Sequence, residues 1–281
     1  MAEPTAIGLV CPGCRRLEGG QLVVSALQAG PLGLVCPGCG RDHPVVDGVP
    51  IVLADLDAWL QSEGPALLRR SDLEPPLLER LCLGAGGVLA RDMARVQTYL
   101  DASDSPLQRW ARSLLDESGG PALDPSGSAA LDPSGSAALD LGCGVGSGDE
   151  RVLGLDLHWA SLQKARGPVV LADALNPPFL ARSFELVLAL NLLDSCRDPG
   201  LMLQQALALV APGGRLALAS PFHWQESVTP RSLWLRPEQV EDFLRAQSVE
   251  LTRGEAEWSL SLGPRSEIRH RCVTWLVRLA H

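Results

Sequence analysis

Two short cysteine motifs near the start of the chain have the residue types and spacing of a metal site. The sequence CPGC occupies residues 11–14 and again residues 36–39. A gap of two residues lets a tight turn aim both sulfurs at one ion, and Zn²⁺ prefers four thiolates at tetrahedral corners. We therefore predict a structural Zn²⁺ site formed by Cys11, Cys14, Cys36 and Cys39, which leaves no open position for catalysis.

A second set of candidate residues follows short apolar runs in the second half of the chain. Glycines at a strand end let the backbone approach a ligand closely, and an acid at the next strand end suits the hydroxyl groups of a ribose. The residues in such positions are Asp140, Gly142, Gly144, Asp156, Asp173, Ala174 and Asn191. Their order along the chain predicts a nucleotide-binding site.

The apolar runs that carry these residues alternate with helical patterns, and this alternation predicts the fold. Short strands are expected at 138–141, 152–155, 169–171, 186–190 and 216–219, and the clearest helices at 201–210 and 237–246. Such alternation is typical of a doubly wound, mostly parallel α/β sheet, whose strands are apolar on both faces. The runs at 258–262 and 272–279 predict an antiparallel pair at the sheet edge.

Composition divides the chain of 281 residues into three parts. Residues 1–54 are rich in Cys, Gly, Pro and Val and are predicted to form a zinc ribbon. Residues 55–120 have a helical pattern and are predicted to form a helical linker or cap. Residues 121–281 are predicted to form the doubly wound domain.

The octapeptide PSGSAALD occurs at 125–132 and again at 133–140. Because two copies are too few for a repeat fold, a flexible loop is expected there.

The sequence that follows the second cysteine pair resembles a small zinc-ribbon family. The resemblance covers about residues 8–54 and is carried by the cysteine pairs and by HPVVDGVPIVL at 43–53. Members of that family occur as N-terminal extensions of methyltransferases and as separate activator subunits of methyltransferases. The resemblance implies that the four cysteines are structural and that the ribbon could bind a protein partner.

Residues 137–221 resemble class I S-adenosylmethionine-dependent methyltransferases, a Rossmann-like fold. The resemblance is carried by LDLGCGVG at 139–146, by Asp156, by ADA and PPF within 172–179, and by PGG at 212–214. It implies the following roles: Asp140, Gly142 and Gly144 line the methionine end of the cofactor, Asp156 holds the ribose, Asp173 and Ala174 hold the adenine, and Asn191 forms the wall near the sulfonium. An NAD-binding Rossmann domain shares the acid at the strand end, but the ADA, PPF and PGG elements favour the methyltransferase.

The chain departs from this family after the glycine-rich turn. Only nine residues separate Leu141 from Arg151, whereas family members place a whole helix there and a βαβ crossover needs roughly 10–12 residues or more. We expect the first helix to be lost, shortened to about one turn, or replaced by an irregular loop. Its N-terminus would have supplied N–H groups and a dipole for the cofactor's carboxylate, so we expect weak cofactor binding, mainly through the adenosine half.

The function predicted from these features is transfer of a methyl group from S-adenosylmethionine to a small-molecule, peptide or protein acceptor. His223, which follows the fifth strand, is the candidate catalytic residue. The alternative is a degenerate methyltransferase fold that serves as a binding or scaffold module, with weak or no cofactor binding.

Charge, hydropathy and cysteine use narrow the setting of the protein. A net charge of −9 argues against a surface that binds nucleic acid broadly. The longest apolar run is less than half of the roughly 20 residues that a membrane span needs, and the first residues lack a signal-peptide pattern. Eight cysteines without such a signal predict a reducing compartment, and we expect a cytoplasmic protein.

Overall fold

The computed structural model describes residues 8–18, 21–62, 105–118, 138–147, 149–247, 250–263 and 266–280. Most of the predicted helical linker and residues 125–137 of the octapeptide pair lie outside these residues. Within the described residues the chain forms three β-sheets and five α-helices.

The N-terminal part consists of short antiparallel strands. The first two strands, β1 and β2, pair with each other, and β3 to β6 form a four-stranded sheet in sequence order. The bounds are β1 Arg16–Glu18, β2 Gln21–Val23, β3 Gln28–Gly30, β4 Gly33–Val35, β5 Asp42–Val46 and β6 Val49–Pro50. Two helices follow, α1 Leu56–Ser62 and α2 Pro106–Ser118.

The rest of the chain is built on one seven-stranded sheet. Its strands are β7 Ala138–Leu141, β8 Val152–Asp156, β9 Val169–Leu171, β10 Phe184–Leu190, β11 Val210–Ser220, β12 Glu250–Gly263 and β13 Ser266–Arg278. The helices between them are α3 Trp159–Leu162, α4 Pro199–Leu209 and α5 Pro237–Arg245, with short 3-10 helices at Leu193–Ser195 and Arg231–Leu233.

The strand order in this sheet is β12-β13-β11-β10-β7-β8-β9, and β7 to β11 all run parallel. The chain builds outward from β7 to β8 and β9 on one side, then returns to place β10 and β11 on the other side. A ligand site is expected at such a reversal, above the carboxyl ends of the strands. The predicted doubly wound, mostly parallel α/β sheet is therefore confirmed.

Burial explains why the five parallel strands form where the apolar runs predicted them. All four residues of β7 are buried, as are the first four of β8. A strand covered by helices on both faces loses its polar alternation, so it reads as a continuous apolar run. Helix α4 begins with Pro199 in its first turn, and the side chain of Asp198 accepts a hydrogen bond from the N–H of Leu201.

The last two strands are much longer than the predicted runs. The antiparallel pair extends over β12 and β13 in full. Of these two strands, only β12 lies at the edge of the sheet, because β13 lies between β12 and β11. Ion pairs such as Arg271–Glu255 at 2.9 Å and Arg269–Glu257 at 3.7 Å cross between the two strands. Because these exposed positions are charged, the sequence there lacks the apolar pattern by which the buried strands were predicted.

The N-terminal part continues the large sheet beyond β9. Ile51 pairs in parallel with Leu171, and the N–H of Val52 donates to the carbonyl of Leu171 at 2.8 Å. The contacts of Ile51 and Val52 with Leu171 cover part of the edge of β9, whose backbone groups would otherwise be unpaired there. Elsewhere in the ribbon, Leu9 pairs with Phe179, which follows β9 in the chain.

Candidate functional site

The four predicted metal ligands lie together in the N-terminal sheets. The Sγ atoms of Cys11 and Cys39 are 3.8 Å apart, and those of Cys14 and Cys36 are 3.6 Å apart. The four sulfurs all lie within 4.8 Å of one another. Four thiolates at about 2.3 Å from one Zn²⁺ would be about 3.8 Å apart in a tetrahedron, so the cluster fits this ion.

The glycine-rich turn after β7 depends on left-handed backbone conformations. Gly142, Gly144 and Gly146 have φ angles of 70°, 58° and 79°, a region that side chains other than glycine rarely adopt. At Gly142 a Cβ atom would also come within 2.8 Å of the side chain of Leu192. Glycine at residue 142 therefore lets the backbone of the turn approach Leu192 closely.

The carboxylate of Asp156, at the end of β8, holds this turn in place. Its Oδ2 accepts a hydrogen bond from the N–H of Gly144 at 2.8 Å, and its Oδ1 accepts one from the N–H of His158 at 2.8 Å. A carboxylate oxygen has about two lone-pair positions, so each oxygen can still accept from a ligand.

Two cavities lie above the carboxyl ends of the parallel strands and share lining residues. The larger, of about 260 Å³, is lined by Asp156, His158, Asp173, Ala174 and Arg197 among others. The smaller, of about 100 Å³, lies beside helix α2. Both are lined by Gly142, Gly144 and Asn191. The structure thus brings the seven predicted cofactor residues to this pair of cavities, with Asp140 lining the smaller one.

Asp173 already has partners in the larger cavity. Its Oδ1 accepts a hydrogen bond from the N–H of Leu175 at 2.9 Å, and its Oδ2 lies 2.6 Å from the guanidinium of Arg197. The Arg197 side chain is largely exposed, and an exposed ion pair of this kind contributes only about 0–1 kcal/mol. A ligand amine could therefore displace Arg197 at little cost.

Asn191 stands at the carboxyl end of β10 with a φ angle of 59°, which is uncommon for a residue other than glycine. Its backbone N–H donates to the carbonyl of Ala219, and its Oδ1 accepts from the thiol of Cys272 at 3.4 Å. A strained residue held by contacts from two neighbouring strands is typical of a functional site.

Asp140 is the acid with the most unusual environment in the smaller cavity. Burial, and then the nearby charge of Asp156, raise the pKa of Asp140 to about 7. Burial therefore favours the neutral form of this carboxyl group, and a cationic ligand beside it would favour the ionised form.

His223 lies apart from the other predicted residues. Its side chain is exposed and does not line either of the two cavities. Its backbone N–H donates to Oδ2 of the buried Asp194 at 2.6 Å, and its ring contacts that of His270 with centroids 4.5 Å apart. Burial raises the pKa of Asp194, while burial and the charge of His223 lower the pKa of His270.

Three residues at the site were not identified from the sequence. Gln108 and Arg112 line the smaller cavity from helix α2, which lies far from the glycine motif along the chain. No local pattern marks such residues. Asp194 follows Asn191 by three residues, and a single acid within the apolar run NLLDSC was a signal that could have been used.

Comparison with known families gives a match to part of the second half of the chain. Residues 139–218 match the sequence profile of a family described as a methyltransferase domain. A search of curated proteins gives no significant match. None of the helices among the described residues is long and apolar enough to cross a membrane.

Solved methyltransferase structures resemble the chain at low identity. A complex between a methyltransferase activator and a methyltransferase from Haloferax volcanii aligns at 18% identity over 69% of this chain and 100% of that one, with a TM-score of 0.44. An S-adenosylmethionine-dependent methyltransferase from Thermotoga maritima aligns at 18% identity over 51% and 82%, with a TM-score of 0.39. Phosphoethanolamine N-methyltransferase 2 of Haemonchus contortus, in complex with S-adenosyl-L-methionine, aligns at 16% identity over 53% and 49%, with a TM-score of 0.40.

Proposed function

For a chain that carries a methyltransferase domain at residues 139–218, we propose S-adenosylmethionine-dependent methyl transfer to a small-molecule, peptide or protein acceptor. The observation that carries this proposal is the pair of adjoining cavities at the strand reversal. Asp156 and Asp173 line the larger cavity, and Asp140 lines the smaller one. An elongated cofactor with an adenosine end and an amino-acid end fits two cavities that share Gly142 and Gly144.

The cofactor, when bound, supplies an electrophilic methyl group on a sulfonium. The residues of this chain would then bind and orient the cofactor and the acceptor, and exclude water from the site. Asp156 would accept the ribose hydroxyls on the lone pairs that its two backbone donors leave available. Asp173 would accept the adenine amine once Arg197 moves aside, and Ala174 would lie against the base. Asn191 would form the wall at the reacting centre, since it lines both cavities.

We propose that the acceptor approaches across the ends of β10 and β11, and that His223 receives its proton. The ring of His223 is exposed, and its backbone is fixed by the bond to Asp194. An imidazole held at this edge of the sheet is a group that can accept a proton during transfer.

We propose that the cysteine cluster binds one structural Zn²⁺ through Cys11, Cys14, Cys36 and Cys39. The sulfur distances support a tetrahedral four-thiolate site, and such a site is closed to further ligands.

We propose that the chain has three parts: residues 1–54 form this ribbon, residues 55–120 a helical cap, and residues 121–281 the methyltransferase domain. The ribbon could also bind a protein partner, although part of its surface already contacts β9. None of the seven cysteines among the described residues forms a disulfide, which suits a reducing compartment such as the cytoplasm.

A scaffold role without catalysis is the second candidate function. It is favoured by the turn between β7 and β8, where the described residues 142–147 and 149–151 contain no helix. Loss of that helix removes the usual N–H donors and dipole for an anionic group. The two candidate functions differ in one measurable property, which is the affinity for the cofactor.

Calorimetric titration with S-adenosylhomocysteine tests the proposal. We expect the wild-type chain to bind and Asp156→Asn to bind roughly tenfold to a hundredfold more weakly, because a hydrogen bond to a charged group contributes about 1.5–3 kcal/mol. Asp242→Asn, which changes an exposed acid on α5, is the matched control and should leave the affinity unchanged. An absence of binding by the wild type at about 1 mM would contradict the enzyme and support the scaffold.

A further inference from the structure

Four backbone N–H groups of the glycine-rich turn already donate within the protein. The N–H groups of Gly142 and Cys143 both donate to the carbonyl of Leu155, at 2.8 and 3.0 Å. The N–H of Gly144 donates to Asp156, and that of Gly146 donates to the carbonyl of Cys143. Because these four donors are used within the protein, a donor from another element would strengthen the binding of a ligand carboxylate at this turn.

Helix α2 lies where it can supply that donor. Its residues Gln108, Arg112 and Leu115 line the smaller cavity together with Gly146 and Ser147. Residues four apart on a helix share one face, so Gln108, Arg112 and Asp116 point to the same side.

The last turn of the helix is tied to the end of the glycine loop. Asp116 accepts a hydrogen bond from the guanidinium of Arg151 at 3.1 Å. The guanidinium of Arg151 also contacts both carboxylate oxygens of Asp149, at distances between 2.6 and 3.1 Å. Through Arg151, the shortened loop and helix α2 are held side by side.

The smaller cavity carries one charge of each sign among its described lining residues. Asp140 is the acid and Arg112 is the cation, and Arg112 is half-buried. The α-amino-acid group of the cofactor carries an ammonium and a carboxylate, so it is complementary to such a pair. Arginine is suited to the carboxylate, because its planar guanidinium can form two parallel hydrogen bonds with it.

We propose that Arg112 binds the α-carboxylate of the cofactor's methionine group, in place of the helix that is missing from the described residues between β7 and β8. This inference rests on the proposed function. Gln108, one turn earlier on the same face, lies beside the same group, and Asp140 faces its ammonium. Affinity for the amino-acid half is thereby supplied by a helix that precedes the sheet in the chain.

The test compares two ligands that differ only in the amino-acid group. S-adenosylhomocysteine carries that group, whereas 5′-methylthioadenosine keeps the adenosine and the thioether without it. For Arg112→Gln we expect affinity for S-adenosylhomocysteine to fall tenfold to a hundredfold and affinity for 5′-methylthioadenosine to stay unchanged. Arg112→Lys, which keeps the charge without the planar fork, should fall between the wild type and Arg112→Gln.

Arg109→Gln is the matched control, because Arg109 lies on the same helix with an exposed side chain. It should bind both ligands as the wild type does, with the same thermal midpoint. If Arg112→Gln weakens both ligands equally, or neither, the assignment of Arg112 is wrong while the proposed function stands. If the wild type binds neither ligand, both the assignment and the proposed function are wrong.

Discussion

At the scale of single residues, Asp140 links ligand binding to pH. Its pKa is raised to about 7 by burial and by Asp156, and a ligand ammonium beside it would stabilise the ionised form. We therefore expect affinity for S-adenosylhomocysteine to rise about tenfold between pH 6 and pH 8, as the carboxyl group loses its proton. Calorimetry at both pH values checks this. A similar rise in Asp140→Asn would contradict the role of this carboxyl group.

The same raised pKa predicts a cost in stability. A carboxyl group with a pKa of 3.8 when unfolded and about 7 when folded stabilises the fold in its protonated form. That contribution is complete below pH 3.8 and is lost as the pH rises through 7. Asp140→Asn, which is neutral at every pH, should therefore melt at a higher temperature than the wild type at pH 8. The difference should shrink at pH 5, and an equal or lower midpoint at pH 8 would contradict the burial argument.

His223 gives a prediction about rate without affinity. If its ring receives the acceptor's proton, His223→Gln should slow transfer of a tritiated methyl group from S-adenosylmethionine into a cell extract by roughly 10²–10⁴-fold. Affinity for S-adenosylhomocysteine should be unchanged, because His223 does not line the cofactor cavities. An unchanged rate would remove His223 from the reaction and leave the cofactor site as proposed.

A site residue could be identified from the sequence where its neighbours in the chain form a recognisable motif. The four cysteines and Asp156 stand in local motifs; in the structure the cysteines lie together and Asp156 lines the larger cavity. Arg112 could not be found in this way, because its place at the cavity depends on how α2 packs against β10 and β12. The ion pair of Asp173 with Arg197 joins residues 24 apart in the chain and likewise depends on the fold.

At the scale of elements, burial decided how well each element could be predicted. The parallel strands are buried on both faces, and their apolar runs located them well. Strands β12 and β13 were predicted too short, because their exposed charges interrupt the apolar pattern. The absent helix after β7 followed from chain length alone, since nine residues cannot complete a crossover with a full helix.

The turn that replaces this helix requires glycine at residue 142. Gly142→Ala should destabilise the protein by about 1–2 kcal/mol, because φ is 70° there and alanine disfavours that region. The new Cβ would also meet Leu192 at 2.8 Å. Gly200→Ala in α4 is the control, since its Cβ would make only an ordinary contact of 3.5 Å with Asp198. Urea denaturation measures both variants, and equal stabilities would contradict the strain argument.

At the scale of the whole molecule, the cysteine cluster and the segment that follows Asp173 in the larger cavity are joined by direct contacts. The side-chain amide of Asn176 donates to the carbonyl of Pro12, within the first cysteine pair, at 3.1 Å. The N–H of Val10 donates to the carbonyl of Pro178 at 2.9 Å, and Arg15 donates to the carbonyl of Pro177 at 3.3 Å. The ribbon therefore holds the segment that follows Asp173 and Ala174 in the larger cavity.

Removal of Zn²⁺ should consequently weaken cofactor binding as well as the ribbon. Folding of a four-thiolate ribbon is coupled to its metal, so chelation should loosen the 9–15 segment that contacts residues 176–179. We expect the affinity for both S-adenosylhomocysteine and 5′-methylthioadenosine to fall together on chelation, because the adenosine end is affected. Added Zn²⁺ should restore the affinity for both ligands, and Mg²⁺ should not.

In Cys36→Ser, chelation should have no further effect on these affinities, because the site is already incomplete. If the chelated wild type keeps its affinity while its thermal midpoint falls, the ribbon stabilises the chain without positioning the adenine segment.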